Sequence, residues 1–186
     1  MTSAVRRVVT GHDKDGNAVF VSDELVEPVM TDLSASSSFH VLWNGDTTPS
    51  FPDDGSRPAF TAYFPPVGGY RFGLFTLPPR DEPPPSPEVD IAAAVSELRA
   101  ALPGLLDHME SGAPGMHTTA TIDFEIVLTG EVVLELDDGA RVQLRAGDTV
   151  VQNGTRHRWS NPGSAPATLA VFMCGAHHDR VHPPAG

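Results

Sequence analysis

From His117 to Asn161 the chain is a succession of short alternating segments separated by glycine turns, and nothing else in it restricts the fold as much. The segments run from His117 to Gly130, from Glu131 to Gly139, from Ala140 to Gly147, and from Gly147 to Asn161. Asp138-Gly139 and Ala146-Gly147 supply the turn chemistry between apolar runs of strand length. Segments this short cannot bury an apolar face alone, so they must pair into a sheet that closes on itself or on a second sheet.

Side chains alternate across a strand, so residues two apart share a face. In the first segment His117, Thr119, Thr121, Asp123 and Glu125 point one way, and Ala120, Ile122, Phe124, Ile126 and Leu128 point the other. A second histidine, His157, returns about one barrel circuit later. A solvated strand face is the competing reading, and periodicity alone does not separate the two.

These two segments resemble the motifs of the cupin superfamily. Counting back from Gly130, Asp123 falls where the family carries a glutamate, His117 on its first histidine, and Thr119 on its second. In the second motif Gly154, His157 and Asn161 match at the expected internal spacing. The resemblance covers residues 115 to 175. It departs where Thr119 replaces a histidine, Asp123 a glutamate and Gln152 a proline, and the approach from Gly147 is one residue short. Family members use the corresponding residues to hold a divalent metal. What the resemblance implies here is a site on His117, Asp123 and His157, with Gln152 or Glu125 as substitutes, for zinc, iron, nickel or manganese. Two histidines and a carboxylate suffice for a catalytic metal with open positions.

The resemblance implies an all-β fold, a jelly-roll β-barrel with extra N-terminal strands and one external helix. The expected organisation is one domain: residues 1–78 as strands extending the barrel sheets, 79–112 as a proline-rich connector and helix, 113–175 as the barrel core, and 176–186 as a flexible tail. At 186 residues and 40% hydrophobic content the chain can build one real core. Its 18 prolines and 17 glycines favour a many-turned β protein over a helical bundle.

Upstream, Arg7 to Gly11 and Asn17 to Asp23 read as a hairpin around Asp13 to Gly16. The acidic spacing there falls short of a calcium loop, because Ala18 stands where the glycine belongs. Further strands are expected at Phe39–Trp43, Phe60–Phe64 and Gly69–Leu77, with His40 packing or capping a loop. Ser86 and Pro87 read as a helix start, and Ile91, Val95, Leu98, Leu102, Leu105 and Met109 recur at helical spacing until Pro103-Gly104 interrupts. That helix is expected on the barrel exterior, over the pocket mouth or against a partner subunit, with simple packing the leading role. The tail histidines His177, His178 and His182 read as part of a frayed terminus.

The net charge of −12 and the single lysine, Lys14, argue against nucleic acid or an anionic membrane as partner. One cysteine, Cys174, rules out an internal disulfide and is compatible with a reducing cytoplasm. No apolar run reaches membrane-spanning length, so a cytoplasmic protein is expected. Shielding exposed sheet edges by strand exchange makes a homodimer the expected state.

The leading functional expectation is a small-molecule enzyme, a lyase, isomerase, cyclase or dehydratase acting on an apolar carbonyl or hydroxylated metabolite, assisted by metal or by acid–base groups alone. Family resemblance points to the tailoring of small metabolites. His157, Glu125 and Asp123 are the candidate catalytic groups, Glu125 as base. Thr119, Gln152, Trp159 and Phe172 are the candidate pocket wall, with barrel core as the competing role for both aromatics. An iron-dependent dioxygenase and a cupin that binds a small ligand without turnover are the alternatives.

Overall fold

The computed structural model describes residues 3–181. Eleven strands and one α-helix follow in order: β1 (Val5–His12), β2 (Ala18–Val26), β3 (Val29–Thr31), β4 (Ser34–Gly45), β5 (Tyr70–Leu77), α1 (Ile91–Ala101), β6 (Thr121–Thr129), β7 (Glu131–Glu135), β8 (Arg141–Arg145), β9 (Thr149–Asn153), β10 (Arg158–Ser160) and β11 (Ala167–Gly175). A six-stranded sheet runs β3-β4-β5-β11-β6-β9 and a three-stranded sheet runs β10-β7-β8. Strands from the motif region contribute to both sheets, so they form the two walls of the barrel.

The N-terminal hairpin departs from expectation. β1 and β2 pair only with each other, in a ribbon of their own; only β3, β4 and β5 extend the large sheet. The ribbon's turn is built by Asp13, whose carboxylate accepts from the backbone N–H of Asp15 and of Asn17 at 2.9 Å each. That use of Asp13 accounts for the acidic spacing there as turn chemistry.

Phe60–Phe64 is not a strand. It lies in a long connection between β4 and β5, held by the buried side chain of Arg71. The guanidinium of Arg71 pairs with Asp46 at 2.6 Å and donates to the carbonyls of Gly45 at 2.8 Å and Ala62 at 2.7 Å. A buried charge demands this many partners, and satisfying them fixes the path of the loop across the barrel.

The helix starts later than Ser86. Asp90 is its N-cap, accepting from Ala93 N at 3.0 Å, while Ser86 closes a turn with Val89. Asp90 prevails because a carboxylate both caps and complements the helix dipole. The helix ends before Pro103-Gly104, as expected. Leu98, Leu102 and Leu105 pack on Val29, Leu33, Phe39 and Tyr63, each burial contributing about 1.5–3 kcal/mol. A second apolar cluster, Val127, Val132, Ala167 and Leu169, lies between the two sheets. The tail is docked as far as it is described: Ala176 N donates to Ala120 O at 2.8 Å, and His178 Nε2 lies 3.1 Å from Gly154 O. His182 lies outside the described residues.

Candidate functional site

Between the two apolar clusters lies a cavity of about 340 Å³. Its walls are mostly carbon: Phe39, Tyr63, Phe64, Phe75, Trp159, Val171 and Met173 from the sheets and loops, and Leu98, Leu105, Leu106 and Met109 from the helical segment above. The helix therefore roofs the cavity as well as packing. Its polar groups are few, and they include Asp123, Glu125, His117 and His157.

Asp123 and Glu125 sit on the inward side of β6, only 5% and 6% exposed. Asp123 Oδ1 and Glu125 Oε2 are buried without a protein hydrogen-bond partner. Burial disfavours the charged form, so the Asp123 carboxyl is pushed up to about 6. Burial first, and then the neighbouring Asp123 charge, pushes Glu125 up to about 8. Near neutral pH the pair therefore holds about one proton between its two members.

The imidazoles form a separate group. His117 and His157 exchange both backbone hydrogen bonds at 2.9 Å, and their ring centroids are 4.2 Å apart. Nδ1 of His117 lies 3.0 Å from Gly115 O, and Nδ1 of His157 lies 2.8 Å from Thr155 O. A carbonyl only accepts, so each Nδ1 carries the proton and each Nε2 presents a lone pair. Burial lowers both, His157 to about 4, which keeps them neutral.

Two glycines of the motif region are there for geometric reasons. Gly154 has φ +59°, and a Cβ would meet Thr119 O at 3.1 Å. Gly130 has φ +76°, and a Cβ would come within 2.7 Å of Ala167. Each lets the chain turn where a side chain has no room.

Three expected wall residues are elsewhere. Thr119 is fully buried outside the cavity lining, its hydroxyl 2.8 Å from that of Thr121. Gln152 braces the loop leading to His157, donating to Thr155 O at 3.0 Å and to the Thr155 hydroxyl. Phe172 lies on the outer face of the sheet; on β11 the inward positions are Val171 and Met173. Trp159 does line the cavity, 6.4 Å from the His157 ring and 6.3 Å from Phe75.

Tyr63 was not legible as a site residue. It lines the same cavity, packs edge-on to Phe39 and Phe64 at 6.0 and 5.0 Å, and has its N–H bonded to Pro103 O. Burial and then the Asp123 and Glu125 charges raise its phenol well above the ordinary range, so it stays a donor. Asn161, a motif position, shapes a turn by bonding Gly163 N and Ala165 O.

Residues 106–173 match the family model of the cupin domain. Over that stretch the chain carries a cupin domain. This cupin is 27% identical over 170 residues to oryzines biosynthesis cluster protein J of Aspergillus oryzae, covering 91% of this chain and 81% of that one. It is 42% identical over 78 residues to phomopsin biosynthesis cluster protein C' of Diaporthe leptostromiformis, spanning 39% of this chain and 41% of that one. A cupin-domain-containing oxidoreductase of Aspergillus ruber matches at 24% identity, covering 92% of this chain and 72% of its own.

The metal that the resemblance implies can be tested against this cupin's own donors. The two Nε2 lone pairs are free to ligate, and Nδ1 donation to a carbonyl is the usual support for such a ligand. Among the described residues, however, no group of three or more His, Cys, Asp and Glu side chains is placed to hold a metal ion. The imidazole pair and the carboxyl pair are two groups in one cavity, and together they do not fit as a single coordination set in this conformation.

Proposed function

We propose that this cupin is a biosynthetic enzyme that moves protons on a small, neutral, largely apolar metabolite bearing a carbonyl or hydroxyl group, in an isomerisation, cyclisation or elimination. The observation that carries the reading is the carboxyl pair Asp123 and Glu125, buried without a cationic partner in an aromatic cavity. Burying two carboxyls costs stability unless something is gained, and pairs with displaced titrations mark functional sites.

The division of labour follows from the titrations. Near pH 7 Asp123, at about 6, is the better base, and Glu125, at about 8, keeps its proton. Asp123 takes a proton from the substrate, and Glu125 returns one to a carbonyl oxygen or a departing hydroxyl. This assigns the base role to Asp123 in place of Glu125. Tyr63 offers a further hydrogen bond to the oxygen, and the neutral Nε2 atoms of His117 and His157 accept from a substrate hydroxyl. The lining residues named above hold the apolar body and exclude water. The relatives named for biosynthesis clusters support a secondary-metabolite substrate class.

The relatives named as oxidoreductases favour a second reading, redox conversion of the same kind of substrate. Product mass separates the two. The protein is incubated with a panel of neutral aromatic and polyketide-like hydroxyketones, and products are weighed by mass spectrometry. Unchanged mass or loss of water supports proton chemistry, while loss of hydrogen or gain of oxygen supports the redox reading. Saturable binding with no product, detected by quenching of Trp159 fluorescence, would leave a ligand-binding cupin.

A further inference from the structure

The imidazole pair leaves two acceptors without a donor. In each ring Nδ1 donates to the carbonyl two residues back, Gly115 O for His117 at 3.0 Å and Thr155 O for His157 at 2.8 Å. An imidazole with its proton on Nδ1 keeps a lone pair on Nε2. Among the described residues no protein donor reaches either Nε2, and both rings line the cavity.

The two lone pairs are also matched in space. His117 and His157 face one another across an isolated antiparallel bridge, with ring centroids 4.2 Å apart. Residues that exchange both backbone bonds set their side chains next to each other on one face. Each ring makes the same contact with its own strand, so the local twofold axis of the bridge relates one Nε2 to the other. Phe64 flanks the His117 ring and Trp159 the His157 ring, each at 6.4 Å between centroids. The paired acceptors therefore stand between two aromatic side chains.

We propose that His117 and His157 together recognise two hydroxyl groups on neighbouring carbons of a flat, unsaturated ring, each O–H donating to one Nε2. The substrate class is then an ortho-diol, aryl or enediol; this rests on the proton-transfer reading of the cavity and narrows what its substrate must carry. One hydroxyl has one proton and answers one lone pair, leaving the second acceptor unpaired when the ligand displaces water. Ether and ketone oxygens only accept, so they set lone pair against lone pair. Hydroxyls on neighbouring carbons stay level with two adjacent rings, whereas hydroxyls at opposite ends of a ligand do not. An ammonium group also donates more than once, but a buried cation needs a carboxylate in contact with it. Among the described residues no carboxylate closes with both imidazoles around one point.

Isothermal titration calorimetry on the intact chain, with and without EDTA, reads this selection without any turnover. The probes are the ortho-diol of naphthalene, its dimethyl ether, β-naphthol, the diol with one hydroxyl on each ring, and naphthylmethylamine. The ortho-diol is expected to bind at least about tenfold more tightly than β-naphthol, in EDTA as well as without it. The separated diol should match β-naphthol, and the ether should bind most weakly. His117→Phe and His157→Phe each keep a ring and remove one acceptor, so in either variant the ortho-diol should lose its advantage, with an unchanged circular dichroism spectrum. The ligand series on the wild type decides the matter even where a variant does not fold. Equal affinity for the ortho-diol and β-naphthol, tighter binding of the amine, a preference abolished by EDTA, or no binding of the ortho-diol at millimolar concentration would each overturn the proposal. A protein that prefers the ortho-diol yet converts no hydroxyketone keeps this selection and loses the proton-transfer reading. Turnover with no diol preference does the reverse.

Discussion

The two faces of strand β6 invert the usual arrangement of a sheet with one wet side. Asp123 and Glu125 point into the barrel, and Phe124, Ile126 and Leu128 point out of it. Core burial alone would favour the opposite choice, because transferring a carboxyl from water is costly and exposing a phenyl ring forgoes its hydrophobic gain. Both departures fall on one strand, so this sheet divides two unlike environments: a largely apolar cavity that holds titratable groups, and an outer surface where β6 carries none.

The largest effect expected from that contrast is on chemistry. Glu125→Gln keeps shape and removes the exchangeable proton, so turnover of a converted metabolite should fall by about 10²- to 10⁴-fold, measured as initial rate with product quantified by mass spectrometry. Retention of more than half the activity would remove Glu125 from the mechanism. Next comes packing. Val127→Thr, in the core between the sheets, places a hydroxyl among carbon and should cost about 1–3 kcal/mol in urea unfolding.

Stability should also depend on pH in a direction set by the carboxyls. Glu125 titrates at about 8 when folded, against an ordinary value of 4.5, so between those values the folded state binds more protons than the unfolded chain. Stability therefore falls as pH rises through that window. Below about pH 6.5 the lowered histidines act in the opposite sense, since the folded state then binds fewer protons than the unfolded chain at His157. The clean interval is pH 6.5 to 8, where the loss should reach up to about 2 kcal/mol. Denaturant midpoints across that range check it, and Glu125→Gln should flatten the slope. If the wild type gains stability over that interval, the buried carboxyl is not titrating as described.

Smaller effects refine the picture. Tyr63→Phe deletes one hydroxyl from the cavity and should lower turnover up to about tenfold with little change in stability; an unchanged rate would make the ring a wall and no more. Val151→Thr repeats the Val127 substitution on the outer face. Under dilute conditions it should shift unfolding by no more than about 0.5 kcal/mol. Equal costs at Val127 and Val151 would show the outer face to be covered within the single chain.

Much of the barrel is legible in the sequence. The Asp138-Gly139 turn, the glycines at 130, 147 and 154 and the period-two pattern placed β6 to β9 where they lie. Parity correctly grouped Asp123 with Glu125. Phe172, expected on the pocket wall, lies outside instead, because β11 is apolar at nearly every position and gives no sign of which half faces in. Tyr63 was hidden for a different reason. The run from Phe60 to Phe64 is β-favourable, yet Arg71 holds it as a loop through bonds to Ala62 and Asp46, which no local pattern announces.

By itself, then, the order of residues determined where the chain turns and that two carboxyls lie on one side of one strand; His117, expected on that same strand, lies before it in an isolated bridge to His157. Turns and facing are open to the sequence because those properties are set within a few residues by backbone geometry. The tertiary structure alone decided that the carboxyls face inward, that the imidazoles meet each other and not Asp123, and that the phenylalanines are left outside. Those outcomes depend on which distant strands and loops close around β6, and burial is a property of the assembled barrel that no segment carries on its own.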